Sequence, residues 1–120
     1  MHPVILAVLI GAAGLGLYEF TLLGIRINRG TEIAQASRPF GLKNPAAMHC
    51  VLVVGDSTGV GTGAARPEES VAGRIAGEFP GTEIVNLSRN GAKLKDALGQ
   101  LASVADSRFD IVLVQAGGND

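Results

Sequence analysis

One cysteine, two histidines, one tyrosine and no tryptophan occur in the 120 residues of this chain. The lone Cys50 excludes an internal disulfide. Placed at the start of an apolar run, it reads as a small buried core residue. Ten Lys and Arg stand against eleven Asp and Glu, a net charge of −1, so no broad basic surface points to nucleic acid. No Gly-Lys pair of the kind a Walker A loop needs is present. What the chain has in plenty is apolar residues, 47% of the total, and 17 glycines.

Much of the apolar excess lies near the N-terminus. Pro3 to Tyr18 is uncharged, Glu19 interrupts the run, and Phe20 to Ile25 is apolar again. A bilayer span needs about 20 mostly apolar residues. Residues 3–25 meet that length, and their glycines are tolerated in membrane helices. The segment, residues 1–25, is therefore expected to be a transmembrane or signal-anchor helix. A secretory signal peptide and a buried helix are the competing readings. Only the amino terminus and His2 precede the run, whereas a signal peptide wants a basic start. Arg26, Arg29, Arg38 and Lys43 follow it, and that bias places the globular part on the cytoplasmic side. Residues 26–48, broken by Pro39, Gly41 and Pro45, read as a linker.

From His49 onward strands alternate with helices. The run Cys50–Val54 reads as a strand buried on both faces. Pro67-Glu68-Glu69 is expected to open a helix whose apolar stripe is Val71, Ile75 and Phe79, with Ala72 and Ala76 beside it. Thr82–Leu87 is the second strand. Ala92–Val104 is the second helix, with Leu94, Ala97, Leu98 and Leu101 on one face. Asp110–Ala116 is the third strand. This order implies α/β architecture, a parallel sheet with helices on its faces. With only three strands, residues 49–120 are expected to be the N-terminal part of a domain that is C-terminally truncated here.

Parallel strands bring their C-terminal ends to one rim, where open α/β sheets form active sites. Three segments lie at those ends: Gly55-Asp56-Ser57, Asn86-Leu87-Ser88-Arg89-Asn90-Gly91 and Gly117-Gly118-Asn119-Asp120. Ser57 offers a hydroxyl nucleophile, Gly91 an approachable backbone N–H, and Asn119 a carboxamide donor. Such a set can attack an acyl carbon and stabilise the oxygen that becomes negative. Asp56 reads as shaping the turn through a local hydrogen bond, and Asp120 as supporting its loop.

In order and spacing the three segments resemble the first three sequence blocks of the SGNH (GDSL-type) hydrolase family. Gly55-Asp56-Ser57 matches the first block, with Thr58 where leucine is common. Asn86 and Gly91 match the second, and Gly117-Gly118-Asn119-Asp120 the third. The resemblance covers about Cys50 to Asp120. It implies a three-layer, flavodoxin-like SGNH fold and a serine esterase that uses neither metal nor organic cofactor. It implies Ser57 as the catalytic nucleophile, with the backbone N–H groups of Ser57 and Gly91 and the side chain of Asn119 as the oxyanion hole. Its substrates would be small-molecule, lipid or glycan esters. The family's fourth block, Asp-x-x-His, supplies the general base and does not occur in these residues. His2 precedes the apolar run, and His49 lies roughly 20 Å or more from Ser57 at about 3.3 Å per strand residue. The chain alone is therefore expected to be at most residually active, with the base located downstream in the complete protein.

Two other function classes stay open. Gly59-Val60-Gly61-Thr62-Gly63-Ala64 fits the dinucleotide pattern G-x-G-x-x-A. Against it, the following helix is expected only at Pro67, and Glu68 and Glu69 would repel phosphate. A non-catalytic, membrane-tethered binding module is the other.

Overall fold

The computed structural model describes residues 2–120, which fall into two compact units that divide between Ile33 and Ala34. Helix α1, Pro3–Ala36, is 34 residues long. At about 1.5 Å per residue it is roughly 51 Å long, more than a bilayer's apolar core requires. None of its residues is buried, and apolar side chains such as Leu17 and Phe20 stand exposed. A helix this long and apolar suits either a membrane span or a signal sequence. It does not stop at Ile25, where the expected linker begins, but carries Arg26 and Arg29 within its last turns. No proline occurs between Pro3 and Pro39, so nothing in that stretch forces the helix to break.

The second unit is built on a three-stranded parallel sheet of β1 (His49–Gly55), β2 (Thr82–Asn86) and β3 (Ile111–Gln115), in the order β2-β1-β3. The central strand is the most apolar, as a strand covered on both faces must be. Val51, Leu52, Val53 and Val54 are all at most 2% exposed. Burying each contributes about 2 kcal/mol. Val51 and Val53 form one cluster with Ile84 of β2 and with Ala72 and Ala76 of helix α3, Val71–Glu78. By the pleat, Leu52 and Val54 point to the other face. Helix α4, Leu94–Ala102, packs against β1 as well. At the open edge, Ile111, Val112 and Val114 of β3 remain exposed.

Both helices keep part of the expected face, with Ile75, Ala72, Ala76 and Ala97 turned inward, and differ in the rest. In α3 the buried residues are Ala72, Gly73 and Ala76, while Val71 and Phe79 are exposed. The preceding segment packs too closely for a larger face: a Cβ on Gly73 would come within 2.5 Å of the Glu68 backbone. Pro67–Glu69 is a separate 3-10 turn, and α3 begins only after Ser70, whose hydroxyl accepts from the Gly73 N–H. Instead of acting on a helix dipole, Glu69 pairs with Arg66 at 2.9 Å. In α4 the buried residues are Ala97 and Gln100, with Leu94 and Leu98 exposed.

The expected linker is partly domain. Phe40 packs against the core cluster, and Leu42 forms an antiparallel bridge to Ile84, exchanging backbone hydrogen bonds of 3.0 and 2.9 Å. The neighbouring breakers Pro39 and Gly41 mask this short pairing in the sequence.

Candidate active site

Ser57 stands where the central strand turns into a helix. β1 ends at Gly55, and a four-residue helix, α2, spans Ser57–Val60. The sequence reading has no helix before Pro67. Asp56 supplies the missing incentive. As N-cap, its carboxylate accepts from the Thr58 N–H at 2.8 Å, and Gly61 closes the helix in the left-handed conformation (φ 80°). Gly59 is excluded from carrying a side chain, since a Cβ there would lie 2.2 Å from Ser88 Oγ. The glycines thus serve packing and capping. The carboxylate at the helix start already uses the N–H that a pyrophosphate would need.

Hydrogen bonds tie the three segments of the rim together. Asp56 Oδ2 accepts from the Gly118 N–H at 3.3 Å, joining the first segment to the third. The Arg89 N–H donates to Gly55 O at 3.0 Å, and Asn86 Nδ2 donates to Gly59 O at 2.9 Å, joining the first to the second. Asn119 Nδ2 donates to Ala92 O at 3.0 Å, and the Asp120 carboxylate accepts from the Leu94 N–H at 3.1 Å, joining the third to the second. Gly91 sits in the turn before α4 with φ 75°, a conformation that favours glycine. Ser57 is half-buried and borders a groove of about 330 Å³ with Thr58, Thr62, Glu69 and Ser70, while Gly91 and Asn119 are exposed. A primary amide has two N–H donors, so the bond to Ala92 uses one of the two on Asn119.

Of the histidines, His49 opens β1 at the opposite end from Ser57 and lines an apolar cavity of about 450 Å³ with Val51, Ile75, Phe79 and Leu113. The strand between them makes it no partner for the serine.

Asp56 is 3% exposed. The Thr58 N–H holds its carboxyl below the usual carboxylate range; burial opposes this, and the Gly118 N–H adds to it. The sign follows from linkage. A carboxyl with a lowered folded pKa binds protons more weakly than in the unfolded chain, so its stabilisation is complete above the unfolded value of about 3.9. It is lost as pH falls through the folded value. Asp56→Asn should therefore flatten the acid limb of a pH-stability curve below about pH 4, and lower stability near neutrality by about 1–2 kcal/mol. Urea titrations across that range measure both effects.

Two polar residues escaped the sequence reading. Gln100, 5% exposed, holds the Gly55 peptide, and Ser88 is buried beneath Gly59. The available signal for Gln100 was a polar residue three positions from Ala97, on a face otherwise expected to be apolar.

The chain matches no protein-family model, and no curated protein and no solved structure matches it either.

Proposed function

We propose that residues 49–120 carry the nucleophile and oxyanion part of a serine ester hydrolase of the SGNH type, held at a membrane by α1. The observation that carries this reading is the bonded rim. A serine at the first position of a helix after the central parallel strand is tied to two further strand-end segments, which carry Gly91 and Asn119. In the reaction Ser57 Oγ attacks the acyl carbon and yields its proton to a base. The carbonyl oxygen takes the negative charge, which the N–H groups of Ser57 and Gly91 and the Asn119 amide would receive. The alcohol leaves, and water then releases the acyl group. Neither His2 nor His49 suits the base, so an imidazole from outside these 120 residues would complete the site. The arginines after the apolar run favour a cytoplasmic domain.

The test does not need that histidine in place. The chain in detergent micelles is treated with a fluorophosphonate while free imidazole supplies the base. The Ser57 Oγ–P bond forms, the P–F bond breaks, and imidazole takes the proton as fluoride leaves. Peptide mapping should find the phosphonyl group on Ser57 and not on the other serines. Modification spread evenly over the serines, or none at Ser57, would leave the rim as a binding surface without catalysis.

A further inference from the structure

Strand β1 outruns its neighbour on one side. The register with β2 ends at Val53↔Asn86; beyond it the Leu87 N–H donates to Val53 O at 2.8 Å and the Arg89 N–H to Gly55 O at 3.0 Å. On the other side β3 accompanies β1 to Gly55↔Gln115, and the Asp56 N–H donates to Gln115 O at 2.8 Å. Backbone groups alternate between the two edges of a strand. The N–H and C=O of Gly55 therefore face the β2 side, where the chain after β2 still reaches the carbonyl through the Arg89 N–H. They are the last peptide groups before Asp56 and Ser57.

Gln100 partners the Gly55 N–H there and adds a second donor to Gly55 O. Its Oε1 accepts from the Gly55 N–H at 2.7 Å, and its Nε2 donates to Gly55 O at 3.1 Å. A carboxamide presents one acceptor and one donor side by side, as a strand's peptide groups do, so the side chain engages both peptide groups of Gly55 at once. To place it there, α4 buries Gln100 and leaves Leu94 and Leu98 in solvent. An apolar side chain at this position, 5% exposed, would leave the buried Gly55 N–H unpaired, so the amide serves stability as well as fixing the Gly55 peptide.

We infer that Gln100 is a positioning residue for Ser57, an inference that rests on Ser57 being the nucleophile. With φ 145°, Gly55 makes the bend from which Ser57 leaves the sheet. Without Gln100 the Gly55 N–H loses its partner and Gly55 O keeps only the Arg89 N–H, so the bend is held less firmly and the hydroxyl two residues on shifts with it. A displacement of about 1 Å in a reacting group costs on the order of a hundredfold in rate.

The test uses the full chain in detergent with fluorophosphonate and imidazole, and separates the maximal inactivation rate from the half-saturating probe concentration. Gln100→Met keeps the volume and removes both bonds. Per folded molecule, counted by urea titration, its maximal rate should fall by about tenfold or more, with the half-saturating concentration unchanged. Gln100→Glu adds a proton-dependent readout. Only the protonated carboxyl both accepts from the Gly55 N–H and donates to Gly55 O, and burial raises the pKa of such a carboxyl. Its rate relative to the parent chain should therefore climb as pH falls from about 8 to about 5. Equal maximal rates for Gln100→Met and the parent, or a pH-independent ratio for Gln100→Glu, would overturn the inference and leave the esterase reading standing. A parent chain unreactive at Ser57 would overturn both.

Discussion

Gly55→Ala should cost the domain a large part of its stability, more than any other glycine substitution. At φ 145° an L side chain is strained before any contact is counted. The added Cβ would also lie 1.9 Å from Gln115 O and 2.5 Å from Gln115 C. Both atoms are backbone in β3, and Gln115 O accepts the Asp56 N–H, so relief would mean prising β3 from β1 where the rim is assembled. Steric and conformational terms together should exceed about 4 kcal/mol, out of a total that for small domains is about 5–15 kcal/mol. Urea unfolding followed by circular dichroism should show a collapsed midpoint or no folded baseline. Gly63→Ala is the matched control. Its φ is also positive, 94°, but nothing lies within 4 Å of the added carbon, so only backbone strain of about 1–2 kcal/mol is expected. Equal losses at the two sites would show that the close β1–β3 approach is not the cause.

Asn119→Ala should slow phosphonylation of Ser57 by about a hundredfold to a thousandfold, or about 3–4 kcal/mol of barrier. On the proposed assignment the Asn119 amide meets the developing negative oxygen only in the transition state, so the half-saturating probe concentration should barely move. The same substitution removes the bond to Ala92 O. That bond lies at a partly exposed site and contributes about 1 kcal/mol at most. A fall in rate that merely tracks the small fall in stability would remove Asn119 from the oxyanion hole and reduce it to a loop tie.

Residues 50–54 spell out the central strand, because five consecutive apolar residues rich in β-branching suit only a strand covered on both faces. Two further apolar runs separated by helical stretches made the parallel order legible, and the polar segments after each run marked the rim. The helix faces were legible only in part. Ile75, Ala72, Ala76 and Ala97 lie inward as expected, but Val71 and Phe79 give way to Gly73 and the alanines, whose small size lets α3 close on the sheet. In α4 Leu94 and Leu98 give way to a polar residue whose partner is a peptide 45 positions away. The α2 turn was hidden for a related reason. Helix propensity counts the glycines against it, while the cap from Asp56 that favours it is worth only about 1 kcal/mol locally and gains weight from a second bond to Gly118.

By itself the sequence determined what depends on composition and period: an N-terminal helix long and apolar enough for a bilayer, a buried central strand, and a serine, a glycine and an asparagine at successive strand ends. Those features follow from burial and from alternation along the chain, which neighbouring residues decide. Only the tertiary structure decided which side chains hold the rim in shape. Asp56 reaches Gly118, Asp120 reaches the start of α4, and Gln100 holds the peptide groups of Gly55 at the end of β1. Each of these joins groups distant in sequence, and a hydrogen bond's worth is set by the burial and geometry that only the assembled fold supplies.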